Sequence, residues 1–404
     1  MTEAKNLLLD LLKFDTQNSD EFDNENLFRG ETIEALKFIE IRLKKIPNIK
    51  TEITRYDLEN YVGTIKETFT NRGFLIAHGD FNTLLPNILF QGHIDTVPFG
   101  EFPGNPLGEF DSNLIRGRGA CDMKGSLTGM ILAFEKLVNN SNRKFNPILL
   151  ITSDEEARNF AGIKKFISQN TIPIEFAICG EPSNFQIFNK FKGVTSRAIK
   201  IKGKAAHGAR PQEGINAIIK SNQILTLLEK YANELGKNPE PIFKSDSIHS
   251  QYSTLNVGKI SGGIKVNAVP STCLIEFEMR LVKPLSHYEN ELEEQIFSQL
   301  KETDYKLIEN FSFNPLLILE QNNPLLKNLK KSIEKEIGEV REGVMEGFSE
   351  ATLLNLNEIC TIVFGPGDLK YAHSSEEQIP IADIEKYIDI LVDFGLNTPS
   401  PTNL

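Results

Sequence analysis

The segment NILFQGHIDTVP (87–98) decides the fold, because a short apolar run in it ends abruptly in polar residues. Similar apolar runs occur in PILLITSDEE (147–156), FAICGEP (176–182) and TIVFGPG (361–367), and GFLIAHG (73–79) precedes them all. Short apolar runs bounded by turn residues are typical of strands that are buried on both faces. We therefore predict one sheet that includes these segments.

Helical patterns separate the apolar runs. In ETIEALKFIEIRLKKI (31–46) the apolar residues recur at helical spacing. Further helical patterns cover residues 123–138, 158–169, 322–337 and 380–394. Short buried strands that alternate with helices favour the α/β class, with a mostly parallel sheet covered by helices on both faces.

The middle of the chain has a different pattern. Between residues 194 and 312 the predicted elements follow the order β-α-β-β-α-β, which is the split βαβ, or ferredoxin-like, arrangement. In CLIEFEMRLV (273–282) apolar and charged residues alternate, so one face of this strand is expected to meet water. We predict an inserted α+β domain at 194–312 and a discontinuous main domain at 1–193 and 313–404.

Composition excludes several classes of protein. The chain has 404 residues, of which 40% are hydrophobic and 25% charged, as in ordinary globular proteins. A formal net charge of −11 argues against nucleic acid as a partner. The four cysteines are too far apart for CxxC pairs and too few for a secreted disulfide scaffold. Since we find no signal peptide and no apolar run near the ~20 residues of a membrane span, we expect a cytoplasmic protein without a membrane partner.

Polar side chains that can bind metal follow the predicted strands. His93 and Asp95 in GHIDTVP are two residues apart, so they project to the same face of an extended segment. A ligating histidine usually donates its other ring N–H, and Asp95 is placed to accept it. Glu155 and Glu156 follow ILLIT, and Glu181 follows FAIC. Because ligands bind beyond the carboxyl ends of strands in open α/β sheets, we expect these groups to converge.

Two more candidates have local sequence contexts of their own. Asp122 in GRGACDMKG precedes a helical pattern, so it is either a helix N-cap or a metal ligand. His373 lies in the loop GPGDLKYAHSSEE after TIVF. Together the candidates are two histidines and three carboxylates at predicted strand ends: His93, Asp122, Glu156, Glu181 and His373. Nitrogen and oxygen ligands of this kind suit a pair of zinc ions with positions left open for water.

The order and text of these motifs resemble the co-catalytic two-zinc deacylase and carboxypeptidase family, of the acetylornithine deacetylase and succinyl-diaminopimelate desuccinylase type. The resemblance rests on GHIDTVP, GRGACDMKG, DEEA and GEPS, and it extends to the AHSSEE loop near the end of the chain. It implies two Zn²⁺ ions, with Co²⁺ or Mn²⁺ as alternatives, and Asp122 as the bridge between them. It also implies that His93 and Glu181 complete one site, and Glu156 and His373 the other.

The resemblance further implies a reaction. Asp95 would brace His93, and Glu155 would be the general base that takes a proton as water attacks an amide carbonyl. GFSEATLL (347–354) resembles the deacetylases' form of this loop, so the expected reaction is hydrolysis of N²-acetyl-L-ornithine to L-ornithine and acetate, a step of arginine biosynthesis. The acidic surroundings of Glu350 lead us to expect a preference for cationic side chains. Succinyl-diaminopimelate desuccinylase, aminoacylase, carboxypeptidase and dipeptidase activities remain alternatives.

For the inserted domain, the resemblance implies a lid that also forms a homodimer. His207 in AAHGARPQEG matches a lid histidine that reaches the neighbouring subunit's site. Asn267 in VNAVP and Arg280 in FEMR match positions that hold the substrate's α-carboxylate. A turn position for His207, and a salt bridge from Arg280 to Glu276 or Glu278, are the structural alternatives.

Two interpretations from other classes compete with this one. GFSEA (347–351) is one residue short of the G-x-S-x-G nucleophile elbow, but the elbow requires a buried strand before it, and we predict none in EVREGVMEG (339–347). The other is a non-catalytic dimeric binding protein on the same fold. Such a protein is expected to lack a ligand or the base, whereas all five candidate ligands and Glu155 are present.

Overall fold

The computed structural model describes residues 2–18, 30–62, 65–157, 160–318 and 323–397. The chain divides into two compact units. The first unit comprises Met1–Asn189, Ile318–Glu342 and Ser349–Leu404, and the second comprises Lys190–Leu317 and Gly343–Phe348.

The structure assigns the following elements in chain order. The strands are β1 (Lys50–Val62), β2 (Ile65–His78), β3 (Asn87–His93), β4 (Glu109–Asp111), β5 (Leu114–Arg116), β6 (Asn146–Thr152), β7 (Phe176–Cys179), β8 (Gln186–Phe191), β9 (Gly193–Lys202), β10 (Ala206–His207), β11 (Thr254–Gly262), β12 (Ala268–Val269), β13 (Thr272–Leu281), β14 (Tyr305–Phe313), β15 (Leu316–Leu317), β16 (Arg341–Met345), β17 (Thr361–Val363) and β18 (Gln378–Pro380). The helices are α1 (Glu3–Leu12), α2 (Thr32–Leu43), α3 (Lys124–Leu137), α4 (Ala161–Gln169), α5 (Ala217–Leu235), α6 (Leu285–Gln295), α7 (Pro324–Ile337), α8 (Glu350–Leu356) and α9 (Ile381–Asn397).

The main sheet of the first unit has the order β1-β2-β6-β3-β7-β17-β8. Its central strands β6, β3, β7 and β17 are parallel, and the strands on either side of them are antiparallel. The α/β class is therefore confirmed, with parallel pairing confined to the centre of the sheet. Because β3, β6 and β7 are neighbours and parallel, the residues after His93, Thr152 and Cys179 lie at one edge.

Helix α3 fixes the position of the segment just before it. Twelve of its 14 residues are buried, since the helix packs against β3 and β6 and also against α1 and α9. Burying a large apolar side chain such as Leu127, Met130, Ile131 or Phe134 contributes about 1.5–3 kcal/mol each. Because α3 is packed on several sides, the segment that leads into it is fixed at its C-terminal end.

Local signals set the ends of helix α7. The Asn323 side chain accepts hydrogen bonds from the N–H groups of Leu325 and Leu326, and Pro324 occupies the first turn. At the other end Gly338 has a φ of 91°, a left-handed conformation that costs glycine little. The helix predicted at 322–337 is thus present as α7, which begins at Pro324 and ends at Ile337.

The second unit has a four-stranded antiparallel sheet of order β11-β13-β9-β14 with helices α5 and α6. The chain order β9-α5-β11-β13-α6-β14 is the predicted β-α-β-β-α-β arrangement. Strand β13 alternates buried and partly exposed residues, as its sequence indicates. Compared with the predicted boundaries of 194 and 312, this unit begins at Lys190, ends at Leu317 and includes Gly343–Phe348.

Several strands were not predicted from the sequence: β1, β4, β5, β8, β10, β12, β15, β16 and β18. Strand β1 was not predicted, because KTEITRYDLENYV contains many polar residues and no continuous apolar run. The prediction that EVREGVMEG contains no strand is wrong, because β16 lies within it. Only Val344 and Met345 in β16 are apolar and buried, so no local pattern revealed the strand. None of the described helices is both long and apolar enough to cross a membrane.

Candidate metal centre

His93 ends strand β3 with its ring aimed at a group of carboxylates. Its Nδ1 lies 2.9 Å from the backbone carbonyl oxygen of Asp95, and a carbonyl only accepts, so Nδ1 carries the proton. This leaves the Nε2 lone pair free to bind metal. We expected the Asp95 carboxylate to accept the hydrogen bond from His93. The structure corrects this, because the backbone carbonyl of Asp95 accepts the bond and the nearest carboxylate oxygen of Asp95 is 3.5 Å from Nδ1.

The Asp95 carboxylate instead connects two parts of the site. Its Oδ2 accepts hydrogen bonds from Asn18 Nδ2 at 2.6 Å and from the backbone N–H of Glu156 at 2.9 Å. Asn18 Oδ1 in turn accepts a hydrogen bond from the buried guanidinium of Arg72. Asn18 and Arg72 were not predicted, because neither belongs to a motif that could have identified them.

Asp122 is a candidate ligand and not a helix cap. The N-cap of α3 is Met123, which leaves the Asp122 carboxylate free for the site. Its Oδ1 lies 3.4 Å from His93 Nε2, and its Oδ2 lies 3.3 Å from His373 Nε2. The expectation that every candidate follows a strand directly is wrong here, because Asp122 lies in the connection between β5 and α3.

His373 completes the other side of the site from a long loop after β17. Its Nε2 lies 2.9 Å from Glu156 Oε1. The hydrogen bonds with Asp122 and Glu156 raise the pKa of His373 to about 10. Burial raises the pKa of Glu156 to about 7. The raised pKa of His373 reflects the two carboxylates beside it.

Two groups of possible ligands share Asp122. In each group the ligand atoms lie within 4.8 Å of one another: His93, Asp122 and Glu181 form the first, and Asp122, Glu156 and His373 the second. A third such group joins Glu155 to His93 and Glu156. The geometry thus brings together all five predicted ligands and the predicted base. A carboxylate common to two groups, with one oxygen facing each, is suited to bridge two cations.

Electrostatics indicate that cations belong here. Burial raises the pKa of Glu155 well above its usual value, and the charge of Glu181 adds to the effect. Burial likewise raises the pKa of Glu181. Among the described residues, His93 Nε2 and Asp122 Oδ1 are buried without a hydrogen-bond partner. Because buried polar and charged groups without partners are costly, these atoms fit divalent metal ions with nitrogen and oxygen ligands.

The three predicted substrate-binding residues all lie in the second unit. His207 on β10 is exposed, and its Nδ1 accepts a hydrogen bond from the N–H of Ala209 at 3.0 Å, as a turn histidine does. Asn267 is next to it, since its carbonyl accepts the N–H of Gly208 at 2.8 Å. Arg280 pairs with Glu278 at 2.8 Å near the far end of β13, so it is not grouped with the other two.

Both polar residues of the GFSEA segment, Ser349 and Glu350, are buried. Glu350 is 0% exposed, and its Oε2 accepts hydrogen bonds from Thr152 Oγ1 at 2.6 Å and from Gln91. It offers no exposed oxygen, which contradicts the expectation that it selects cationic side chains. Ser349 is also 0% exposed, whereas a nucleophile elbow presents its serine at the surface of the site. The serine-hydrolase alternative therefore fails on burial, although a strand does precede Ser349.

Comparison with known proteins agrees with this geometry. The model of peptidase family M20/M25/M40 matches residues 89–397. An acetylornithine deacetylase from Buchnera aphidicola is 26% identical over 369 residues, which cover 85% of this chain and 93% of that one. Among solved structures, the M20 metallo-carboxypeptidase Sso-CP2 from Sulfolobus solfataricus has a TM-score of 0.71 at 17% identity, covering 98% of both chains. A dinuclear metal-binding M20 peptidase from Bacillus subtilis has a TM-score of 0.64 at 14% identity, also covering 98% of both chains. The chain therefore belongs to peptidase family M20/M25/M40, a family of metal-dependent hydrolases.

Proposed function

We propose that the protein hydrolyses N²-acetyl-L-ornithine to L-ornithine and acetate with two zinc ions. The observation that carries the proposal is the pair of ligand groups that share Asp122, with Glu155 beside them. His93 and Glu181 would hold one ion, Glu156 and His373 the other, and Asp122 both. Bound at these positions, the ions supply Lewis acidity that polarises a carbonyl and brings the pKa of water to about 7.

The acid–base work falls to Glu155. Its carboxylate accepts a proton from the water that attacks the amide carbon, and a C–O bond forms. The same carboxyl group then donates the proton to the leaving nitrogen, so the C–N bond breaks and the amine departs neutral. Burial raises the pKa of Glu155, so its carboxylate is a stronger base than that of an exposed glutamate.

The choice of substrate rests on the relatives. The Buchnera protein, 93% of whose length aligns with this chain, is an acetylornithine deacetylase. On this proposal Asn267 and Arg280 hold the substrate's carboxylate, and His207 acts at the site of a neighbouring subunit. Because Asn267 lies next to His207 and apart from Arg280, it would meet the same carboxylate as Arg280 from the neighbouring subunit. The Nη2 atom of Arg280 pairs with Glu278 at 2.8 Å, whereas its Nη1 atom is buried without a hydrogen-bond partner among the described residues and is available for that contact.

A panel of amides tests the substrate. We expect zinc-loaded protein to hydrolyse acetylornithine faster than acetylcitrulline, succinyl-diaminopimelate, acetylmethionine and a dipeptide. If another member of the panel is preferred, the proposed substrate is wrong, but the protein is still an amide hydrolase. Zinc binding with no hydrolysis of any amide would instead support the non-catalytic binding protein.

The variant Glu155→Gln tests the base. Gln keeps the volume of the side chain but cannot take a proton, so kcat is expected to fall by about 10²–10⁴-fold, the usual contribution of general acid–base catalysis. Elemental analysis should still find two metals per chain, because both groups that share Asp122 are intact. Glu293→Gln, a change at an exposed glutamate of α6, is the control. Normal turnover in metal-loaded Glu155→Gln would disprove the assignment.

We also propose that the second unit forms a homodimer. Apolar side chains on α5, on β11 and in the loop after it are exposed: Ile218, Ile219, Ile260, Ile264 and Val266. Exposed apolar clusters of this kind mark interaction surfaces in soluble proteins. Analytical ultracentrifugation should find a dimer for the wild type and a monomer for Ile219→Lys. A monomeric wild type at micromolar concentration would refute the proposal.

A further inference from the structure

We propose that Glu377 is a positioning residue that holds Asp122 and His373 in the arrangement that two metal ions require. The inference rests on the two-metal function proposed above, and it assigns a role to a side chain outside the ligand groups. Among the described residues, Glu377 belongs to none of the groups that could hold a metal. It is 0% exposed, so it also offers no atom to substrate.

The Glu377 carboxylate lies at the centre of the loop that carries Asp122. Its Oε1 accepts three backbone hydrogen bonds, from Gly119 at 2.9 Å, Cys121 at 3.1 Å and Asp122 at 3.0 Å. Its Oε2 accepts a hydrogen bond from Arg118 Nη1 at 2.5 Å. The loop therefore turns its N–H groups inward around one carboxylate, and the Asp122 backbone is fixed by one of these bonds.

The backbone of Glu377 ties the same loop to the segment that carries His373. The Glu377 carbonyl accepts the N–H of Gly117 at 3.2 Å, and the next residue, Gln378, pairs with Arg116 where β18 meets β5. His373 lies four residues before Glu377 in the chain. One residue thus joins the two loop-borne ligands through both its side chain and its main chain.

The hydrogen bonds of Glu377 determine where the Asp122 carboxylate lies. The Asp122 oxygens lie 3.4 Å from His93 and 3.3 Å from His373, and both distances depend on where the Asp122 backbone is held. Metal sites require their ligands within about 0.5 Å of the productive geometry. Without the Glu377 carboxylate, three buried N–H groups lose their acceptor and Arg118 Nη1 loses its carboxylate partner, so the loop is expected to rearrange.

Hydrogen exchange of the wild-type protein tests the proposal without any substitution. If Glu377 organises the loop, the amides of Gly119, Cys121 and Asp122 are protected in metal-free protein, and zinc adds little further protection. If these amides exchange freely without metal and become protected only with zinc, the metal organises the loop and the proposal is wrong.

Substitution then separates positioning from a purely structural role. The single amide oxygen of Glu377→Gln cannot accept from both the three N–H groups and Arg118, and its NH2 group must face one of these donors. We therefore expect this variant to weaken zinc binding by about 10–100-fold, as loss of groups that orient ligands does, in a titration against a competing chelator. Glu377→Asp, which keeps the charge but is shorter, should fall between Gln and the wild type. Glu376→Gln, an exposed neighbour, is the matched control and should bind zinc normally.

The outcomes are distinct. A lower melting temperature of metal-free Glu377→Gln with an unchanged zinc dissociation constant would show a structural role only and overturn the proposal. If the variants do not fold, the exchange experiment decides alone. A wild-type protein that binds no zinc would refute the proposed function, whereas two zinc ions bound equally by wild type and Glu377→Gln would refute only this inference.

Discussion

Gly119→Ala should destabilise the first unit strongly, because glycine is required at this position for two separate reasons. Its φ of +88° is a conformation that L side chains rarely adopt. In addition, a Cβ there would lie 2.6 Å from Thr96 Cγ2. Thr96 cannot move away easily, since its N–H donates to the Thr16 carbonyl at 3.0 Å and its carbonyl accepts the Asn18 N–H at 2.6 Å.

The expected cost follows from these two causes. A left-handed conformation costs a non-glycine residue about 1–2 kcal/mol. Forcing one additional carbon into a packed interior costs about 1–3 kcal/mol more. The total of about 2–5 kcal/mol is a large part of the 5–15 kcal/mol by which a typical protein is stable.

Urea unfolding in the presence of a chelator measures this cost apart from metal binding. Gly236→Ala is the matched control, because Gly236 has a φ of −66° and its added Cβ would meet nothing closer than 3.8 Å, so no loss is expected there. Thr96→Ser removes Cγ2, so in the double variant it should recover the steric part of the loss and leave the conformational part. A Gly119→Ala protein as stable as Gly236→Ala, or a double variant without recovery, would refute the reasoning.

Two further predictions concern the site. Chelation should lower the melting temperature of the wild type, because each metal held at 100 times its dissociation constant contributes about 2.7 kcal/mol to the folded state; an unchanged melting curve in differential scanning calorimetry would contradict two bound metals. Glu350→Gln should leave the ratio of kcat/KM for acetylornithine and acetylmethionine unchanged, since Glu350 is fully buried between Thr152 and Gln91; a shift of that ratio toward acetylmethionine would restore a direct role in substrate selection.

The centre of the sheet could be predicted because its signal is local. Strands β3, β6 and β7 are continuous apolar runs that end in polar residues, which is how buried parallel strands look in a sequence. Strands β1 and β16 lack such runs. Strand β1 pairs with the next strand, β2, but its many polar residues hide it, whereas β16 pairs with β8, which lies far earlier in the chain. For β16 the tertiary contacts therefore outweigh the local pattern.

The same division applies to the site. His93, Glu156 and Glu181 follow neighbouring parallel strands, so elementary sheet geometry is enough to bring them together. Asp122 and His373 lie in loops, so their local contexts made them candidates, and the resemblance assigned their roles. Asn18 and the Glu377 carboxylate could not be predicted, because each acts through hydrogen bonds to residues far away in the chain.

The difference between ligands that follow strands and ligands that lie in loops also bears on how the site tolerates repulsion among its carboxylates. His93 lies in the hydrogen-bond ladder of the sheet, while the N–H of Gly180 beside Glu181 donates to the Gln91 carbonyl and the N–H of Glu156 donates to the Asp95 carboxylate. These bonds hold the ligands against the repulsion among buried carboxylates. The loop-borne ligands have no ladder, and Asp122 must still present one oxygen to each half of the site. A buried anchor that binds backbone N–H groups supplies the missing rigidity. The loops, and not the sheet, are therefore where loss of the Glu377 carboxylate should first increase hydrogen exchange.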